Sequence, residues 1–120
     1  MKAEIAQKWV AALRSGEFKQ AKNQLTDGDG FCCLGVLCEL HRRENGGAWD
    51  MPGNTDSEKY EYLGDSNALP MAVREWAGIR SFTGVFSTGP ERIVNLAYLN
   101  DAGEPFPLIA ALIEESTDAL

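Results

Sequence analysis

A single histidine and three cysteines confined to Cys32, Cys33 and Cys38 leave this chain little of the usual material for metal or thiol chemistry. Structural zinc sites draw on spaced Cys and His pairs, and a nucleophilic cysteine needs a base beside it. Cys38 and His41 lie three residues apart on a helical pattern, with Cys32 or Cys33 as further donors, which makes a poor ligand set. Cys38 should face the core, where a thiol is inert. The cysteines therefore read as core residues, with no metal and no cofactor. Their odd number and the adjacency of Cys32 and Cys33 do not fit a secreted disulfide framework, so reduced thiols in a cytoplasmic setting are expected.

Long apolar runs are missing too. Nothing approaches the roughly 20 residues of a membrane span, and Met1-Lys2-Ala3-Glu4-Ile5 leads into an amphipathic pattern where a secretory leader would be continuously apolar. No membrane association is expected. Basic residues are scarce: 11 Lys and Arg against 18 Asp and Glu give a net charge of −7. Such a surface repels a phosphate backbone, and nucleic-acid binding is not expected.

What is present fits one domain spanning residues 1–120, with 44% hydrophobic residues. Ile5, Trp9, Ala12 and Leu13 mark an amphipathic helix from near Ala3 to Ser15-Gly16. Phe18 to Leu25 reads as a short polar strand or loop before the turn cluster Thr26-Asp27-Gly28-Asp29-Gly30. That cluster is not a calcium loop: with Gly30 at the sixth position, Leu25 and Val36 would occupy the first and twelfth, where acids are required. Leu34, Leu37, Cys38 and His41 predict a second helix from about Cys33 to Arg43.

Residues 46 to 68 form the longest irregular region, with Tyr60-Glu61-Tyr62-Leu63 as a possible strand. Its carboxylates, Asp50, Glu58, Glu61 and Asp65, read as a solvated loop. Leu69, Val73, Trp76 and Ala77 predict a third helix opened by Pro70 and closed by Gly78. Ser81 to Ser87 reads as a strand, Ile93 to Leu99 is ambiguous, Asn100 to Pro105 reads as a turn, and Phe106, Ile109, Ala110 and Ile113 build a last helix that ends with Glu114 and Glu115. The expected fold class is α+β, about four helices packed on a small antiparallel sheet in a single domain.

Charge is unevenly spread, +2 over residues 1–43 and −9 over residues 44–120. Arg14, Lys19, Lys22, Arg42 and Arg43 make the best candidate anion site, because guanidinium groups can fork onto phosphate. Gln20 and Asn23 add adjustable donors, and Trp49, Tyr60 and Tyr62 are suited to stacking on a base. The competing reading is a solvated basic face with core-anchoring aromatics.

Three motifs carry a resemblance: Trp9-x3-Leu13-Arg14-Ser15-Gly16-x-Phe18-x-Gln20, then Phe31-Cys32-Cys33-Leu34-Gly35-Val36-Leu37-Cys38-Glu39, then Leu99-Asn100-Asp101-x-Gly103-x-x-Phe106-x-x-Ile109-Ala110. Together they resemble a family of small phage-encoded proteins of unassigned function. The likeness covers both ends of the chain and leaves the middle loop unmatched. Where related chains tend to carry Gly after the Gln-containing segment, this one has Ala21 and Asn23.

By analogy with phage proteins of this size and charge, the resemblance implies a non-enzymatic counter-defence role in the host cytoplasm. One form of it sequesters a host immune signalling nucleotide, a cyclic oligonucleotide or an ADP-ribose derivative, on Arg14, Lys19, Gln20, Lys22, Arg42, Arg43, Trp49 and Tyr60 without cleaving it. The alternative is an acidic inhibitor that docks on a host defence or nucleic-acid-processing protein. A phosphodiesterase-like activity is disfavoured by the lone histidine and the missing metal motif. A closed ligand pocket would be shallow in a domain this small, so a homo-oligomer is expected.

Overall fold

The computed structural model describes residues 1–120. α1 (Ala3–Arg14) follows the predicted stripe and buries Ile5, Ala6, Trp9, Val10 and Leu13. Glu4 in its first turn and Arg14 in its last complement the helix dipole. α2 (Cys33–Asn45) is the centre of the molecule, buried at every position from Cys33 to Glu39. The Cys32 sulfur caps it by accepting the Gly35 amide at 3.3 Å, and Gly46 ends it with φ of 75°. Gly35 is required there: a Cβ would overlap the Leu25 carbonyl oxygen, on which the first turn of α2 rests.

Between these helices, Phe18–Leu25 is not a strand. It makes a single isolated bridge, Gln20 with Phe31, and Thr26 just beyond it makes another with the same residue. The reason is the following turn, which doubles the chain back too soon for a ladder to extend. Asp27 Oδ1 accepts the amides of Asp29 and Gly30 at 2.9 and 2.7 Å, and Thr26 Oγ1 donates to the Gly30 carbonyl at 2.6 Å. Asn23 adopts φ of 64°, a left-handed conformation that Asn tolerates better than most residues.

The expected small sheet is two separate antiparallel pairs. β1 (Trp49–Asp50) pairs with β2 (Glu61–Tyr62) across the long irregular region. β3 (Val85–Gly89) pairs with β4 (Arg92–Asn95) around Pro90-Glu91. β3 starts later than its composition suggests because Ser81 Oγ accepts the amides of Thr83 and Val85 at 3.1 and 2.8 Å and winds residues 81–84 into a turn.

α3 (Met71–Ala77) lies between Pro70 and Gly78 as expected. The ambiguous stretch is both things at once: β4 runs straight into α4 (Leu96–Asp101), whose cap is Asn95, accepting the Tyr98 amide at 3.0 Å. α4 also carries Asn100 and Asp101, so the turn begins at Ala102. α5 (Phe106–Glu115) buries Phe106, Ile109, Ala110 and Ile113 and packs along α1. One core cluster of 25 residues joins all five helices. No helix is long and apolar enough to cross a membrane.

Candidate functional site

The residues expected to hold an anion do not converge on a common opening. Arg42, Arg43 and Trp49 meet at Glu39, a carboxylate only 7% exposed. Arg42 forks onto it at 2.7 and 2.8 Å, Arg43 Nε donates at 3.0 Å, and the Trp49 indole donates at 3.0 Å. Burial alone would raise the Glu39 carboxyl, but the hydrogen bonds from Arg42, Trp49 and Arg43 overcome it and hold the pKa at about 2. Arg43 spends its remaining reach on Glu17. Both guanidinium groups are thus matched by carboxylates of the same chain.

The other candidates are elsewhere. Arg14 forks onto Glu114 at 3.0 and 3.3 Å, tying α1 to α5. Lys19 pairs with Asp29 at 2.6 Å at the surface. Lys22 is exposed beside Gly103 and forms no ion pair. Gln20 faces inward and donates to Asn100 Oδ1 at 2.9 Å and the Glu104 carbonyl at 2.8 Å. Asn23 gives its backbone amide, not its side chain, to Asp101 at 2.8 Å. Tyr60 lies over Gly28, whose missing Cβ leaves room for the ring.

The aromatics form a continuous row. Phe18, Phe31, Trp49, Tyr62, His41 and Trp76 follow one another at centroid separations of 5.0–5.8 Å. His41 Nδ1 and the Tyr62 hydroxyl are 2.6 Å apart. Burial pushes Tyr62 up to about 12 and lowers His41, so the phenol keeps its proton and the imidazole is neutral. This row is packing along α2, partly exposed at Phe18, Phe31 and Trp49 and again at Trp76. The three thiols lie inside the core, where burial raises Cys32 to about 11 and Cys33 and Cys38 well above their ordinary value.

Two grooves open on the surface, and neither touches the aromatic row. One, of about 510 Å³, runs between α1 and α5 over Ala3, Ala6, Val10 and Ala11, beside the Arg14–Glu114 pair. The other, of about 490 Å³, lies between β4, α4 and α5. Its walls are Arg92 to Asn95 on the strand side and Tyr98, Leu99, Glu104, Leu108 and Leu112 on the helix side.

The β4 groove is the stronger candidate site because it leaves large apolar side chains in water. Ile93 is 76% exposed, Tyr98 69% and Leu108 42%. Contiguous apolar surface of this kind on a charged protein marks an interaction face. Of the six Asp and Glu in residues 91–118, Glu104 lines it together with the single base Arg92, while Glu114 and Asp118 line the other groove. None of these residues is among those expected from the sequence to bind a ligand. The one sequence signal there is the ambiguity of Ile93–Leu99, where the strand passes into a helix.

A family model described as a domain of unknown function, DUF8296, matches residues 1–117. No curated protein and no solved structure matches the chain.

Proposed function

We propose, for a chain that belongs to the DUF8296 family, a binding role: an acidic protein that docks on another protein through the groove between β4, α4 and α5. The observation that carries this reading is the set Ile93, Tyr98 and Leu108, exposed together inside an acidic segment. Apolar anchors supply affinity once desolvated, and surrounding charge selects the partner and speeds encounter. A surface rich in Lys and Arg, such as a nucleic-acid channel of a host defence or nucleic-acid-processing protein, is the matching partner. On the resemblance to phage-encoded proteins, the partner would be a protein of the host cytoplasm and the role one of counter-defence.

Nucleotide sequestration is the weaker of the two expectations on this geometry. Arg14, Lys19, Arg42 and Arg43 are each engaged by a carboxylate, and neither groove includes Lys19, Arg42, Arg43, Trp49 or Tyr60.

The test is a photo-crosslinking amino acid at position 98 in host cells, followed by reconstitution of the identified partner from purified components. Docking predicts one partner whose affinity falls with salt and is lost in Ile93→Asp, while Arg14→Glu on the other side of α5 leaves it intact. A partner that binds Ile93→Asp and the parent chain equally would overturn the reading.

A further inference from the structure

The strand wall of this groove has a property that its helix wall lacks. β4 belongs to a two-stranded sheet, so its side away from β3 is an open edge. The backbone groups of Ile93 and Val94 make no hydrogen bond outside the β3 ladder. All four β4 residues line the groove and no β3 residue does, so the open edge runs along the groove itself.

Natural proteins normally cover, charge or twist away such an edge, because unpaired peptide groups in a row are a template for another strand. Here the residue at the middle of the edge is Ile93, the most exposed large apolar side chain of the protein. Opposite it stand Tyr98 and Leu108, which would pack on one face of an incoming chain.

We infer that the β4 edge receives an extended segment of the partner by strand addition, resting on the docking reading above. Four residues of β4 span about 13 Å, enough to register a short segment by backbone hydrogen bonds. Alternate side chains of that segment point into the groove onto Tyr98, Leu99 and Leu108, and these must be apolar. The intervening side chains face solvent at the Glu104 rim of a chain of net charge −7, and complementarity makes them Lys or Arg. A second copy of this chain is disfavoured as the occupant, because two surfaces of net −7 repel each other.

The experiment uses the full chain and a fluorescent peptide, about seven residues long, that alternates lysine and valine. Binding is read by anisotropy and by amide hydrogen exchange. The peptide should bind, more weakly as salt is raised, and should protect amides within Arg92–Asn95. The same peptide N-methylated at alternate residues keeps its side chains but cannot pair along one edge, and should bind at least about tenfold more weakly. Ile93→Lys, which places a charge on the exposed edge without entering the core, should weaken the parent peptide while the melting temperature holds. Equal binding of both peptides would overturn strand addition and leave docking through side chains standing. Absence of binding up to about 1 mM, or equal binding of a glutamate–valine peptide, would overturn the proposed segment chemistry, whereas the docking reading itself is decided by the crosslinked partner.

Discussion

The side-chain oxygen of Asn100, on α4, accepts the amide of Cys33 at the start of α2, 3.1 Å away and sealed from solvent. The same oxygen accepts Gln20, and the Asn100 amide donates to the Ala21 carbonyl at 2.8 Å. Trp9 joins the arrangement by donating to the Cys33 carbonyl at 2.9 Å. The three motifs that are far apart in sequence therefore meet at one point, and that point is structural. Asn100→Leu leaves the Cys33 amide and the Ala21 carbonyl without partners in the core, and should cost about 3 kcal/mol in urea unfolding. A cost below about 1 kcal/mol would mean that water replaces the network.

Gly35 allows no side chain. Gly35→Ala should abolish soluble expression or lower stability by at least about 3 kcal/mol, because the first turn of α2 would have to leave Leu25. Gly46→Ala meets open space and loses only the left-handed preference of glycine, so its cost should be about 1 kcal/mol. Circular dichroism melts of the two variants side by side check the ranking.

Acid should weaken the fold in two stages. His41 has a folded pKa lowered by burial from its ordinary 6.5, so the unfolded chain binds the proton first and stability begins to fall as pH drops through 6.5. Glu39, held at about 2 against an ordinary 4.5, contributes stability that is present above 4.5 and is lost as pH falls toward 2. Allowing for solvent around the partly exposed arginines, the second stage is worth on the order of 2 kcal/mol. Glu39→Gln should remove that stage in urea titrations run at about pH 5 and about pH 3. A variant with the same pH slope as the parent would show that Arg42 and Arg43 do not hold the carboxylate in solution.

Thiol reagents should find nothing to react with in the native protein. Cys32, Cys33 and Cys38 are buried and protonated, so an aromatic disulfide reagent at neutral pH should titrate none of them natively and all three in guanidinium. Rapid native labelling would expose local opening at the α2 N-terminus.

Cyclic di- and trinucleotides and ADP-ribose derivatives should leave the melting temperature unchanged. A ligand at about 100 times its dissociation constant would add about 2.7 kcal/mol, a shift of several degrees. Such a shift, abolished by Arg42→Glu, would reinstate nucleotide sequestration and require Arg42 to exchange Glu39 for the ligand.

Much of the architecture was legible in the chain because its causes are local. The stripe of Ile5, Trp9 and Leu13 and the stop at Gly16 define α1 within two turns of their own neighbourhood, and Pro70 with Gly78 does the same for α3. The cysteine run was readable as core because the lone His41 cannot complete a spaced ligand set and Cys38 shares the apolar stripe of Leu34 and Leu37. The candidate site was not legible in the same way. Arg42 and Arg43 look like a free basic pair until Glu39, one helical turn back, and Glu17, from another segment, are seen to neutralise them. Ile93 and Tyr98 look like ordinary core residues until β4 and α4 turn them outward.

Periodicity, turn residues and charge balance thus determined the elements, the α+β class and the acidic character, since each follows from interactions within a few residues. Which charges pair, which apolar side chains remain in water and which strand edge stays open depend on contacts across dozens of residues, such as Arg14 with Glu114 and Asn100 with Cys33. Only the tertiary packing decides those, because burial and pairing energies are fixed by where other segments come to rest.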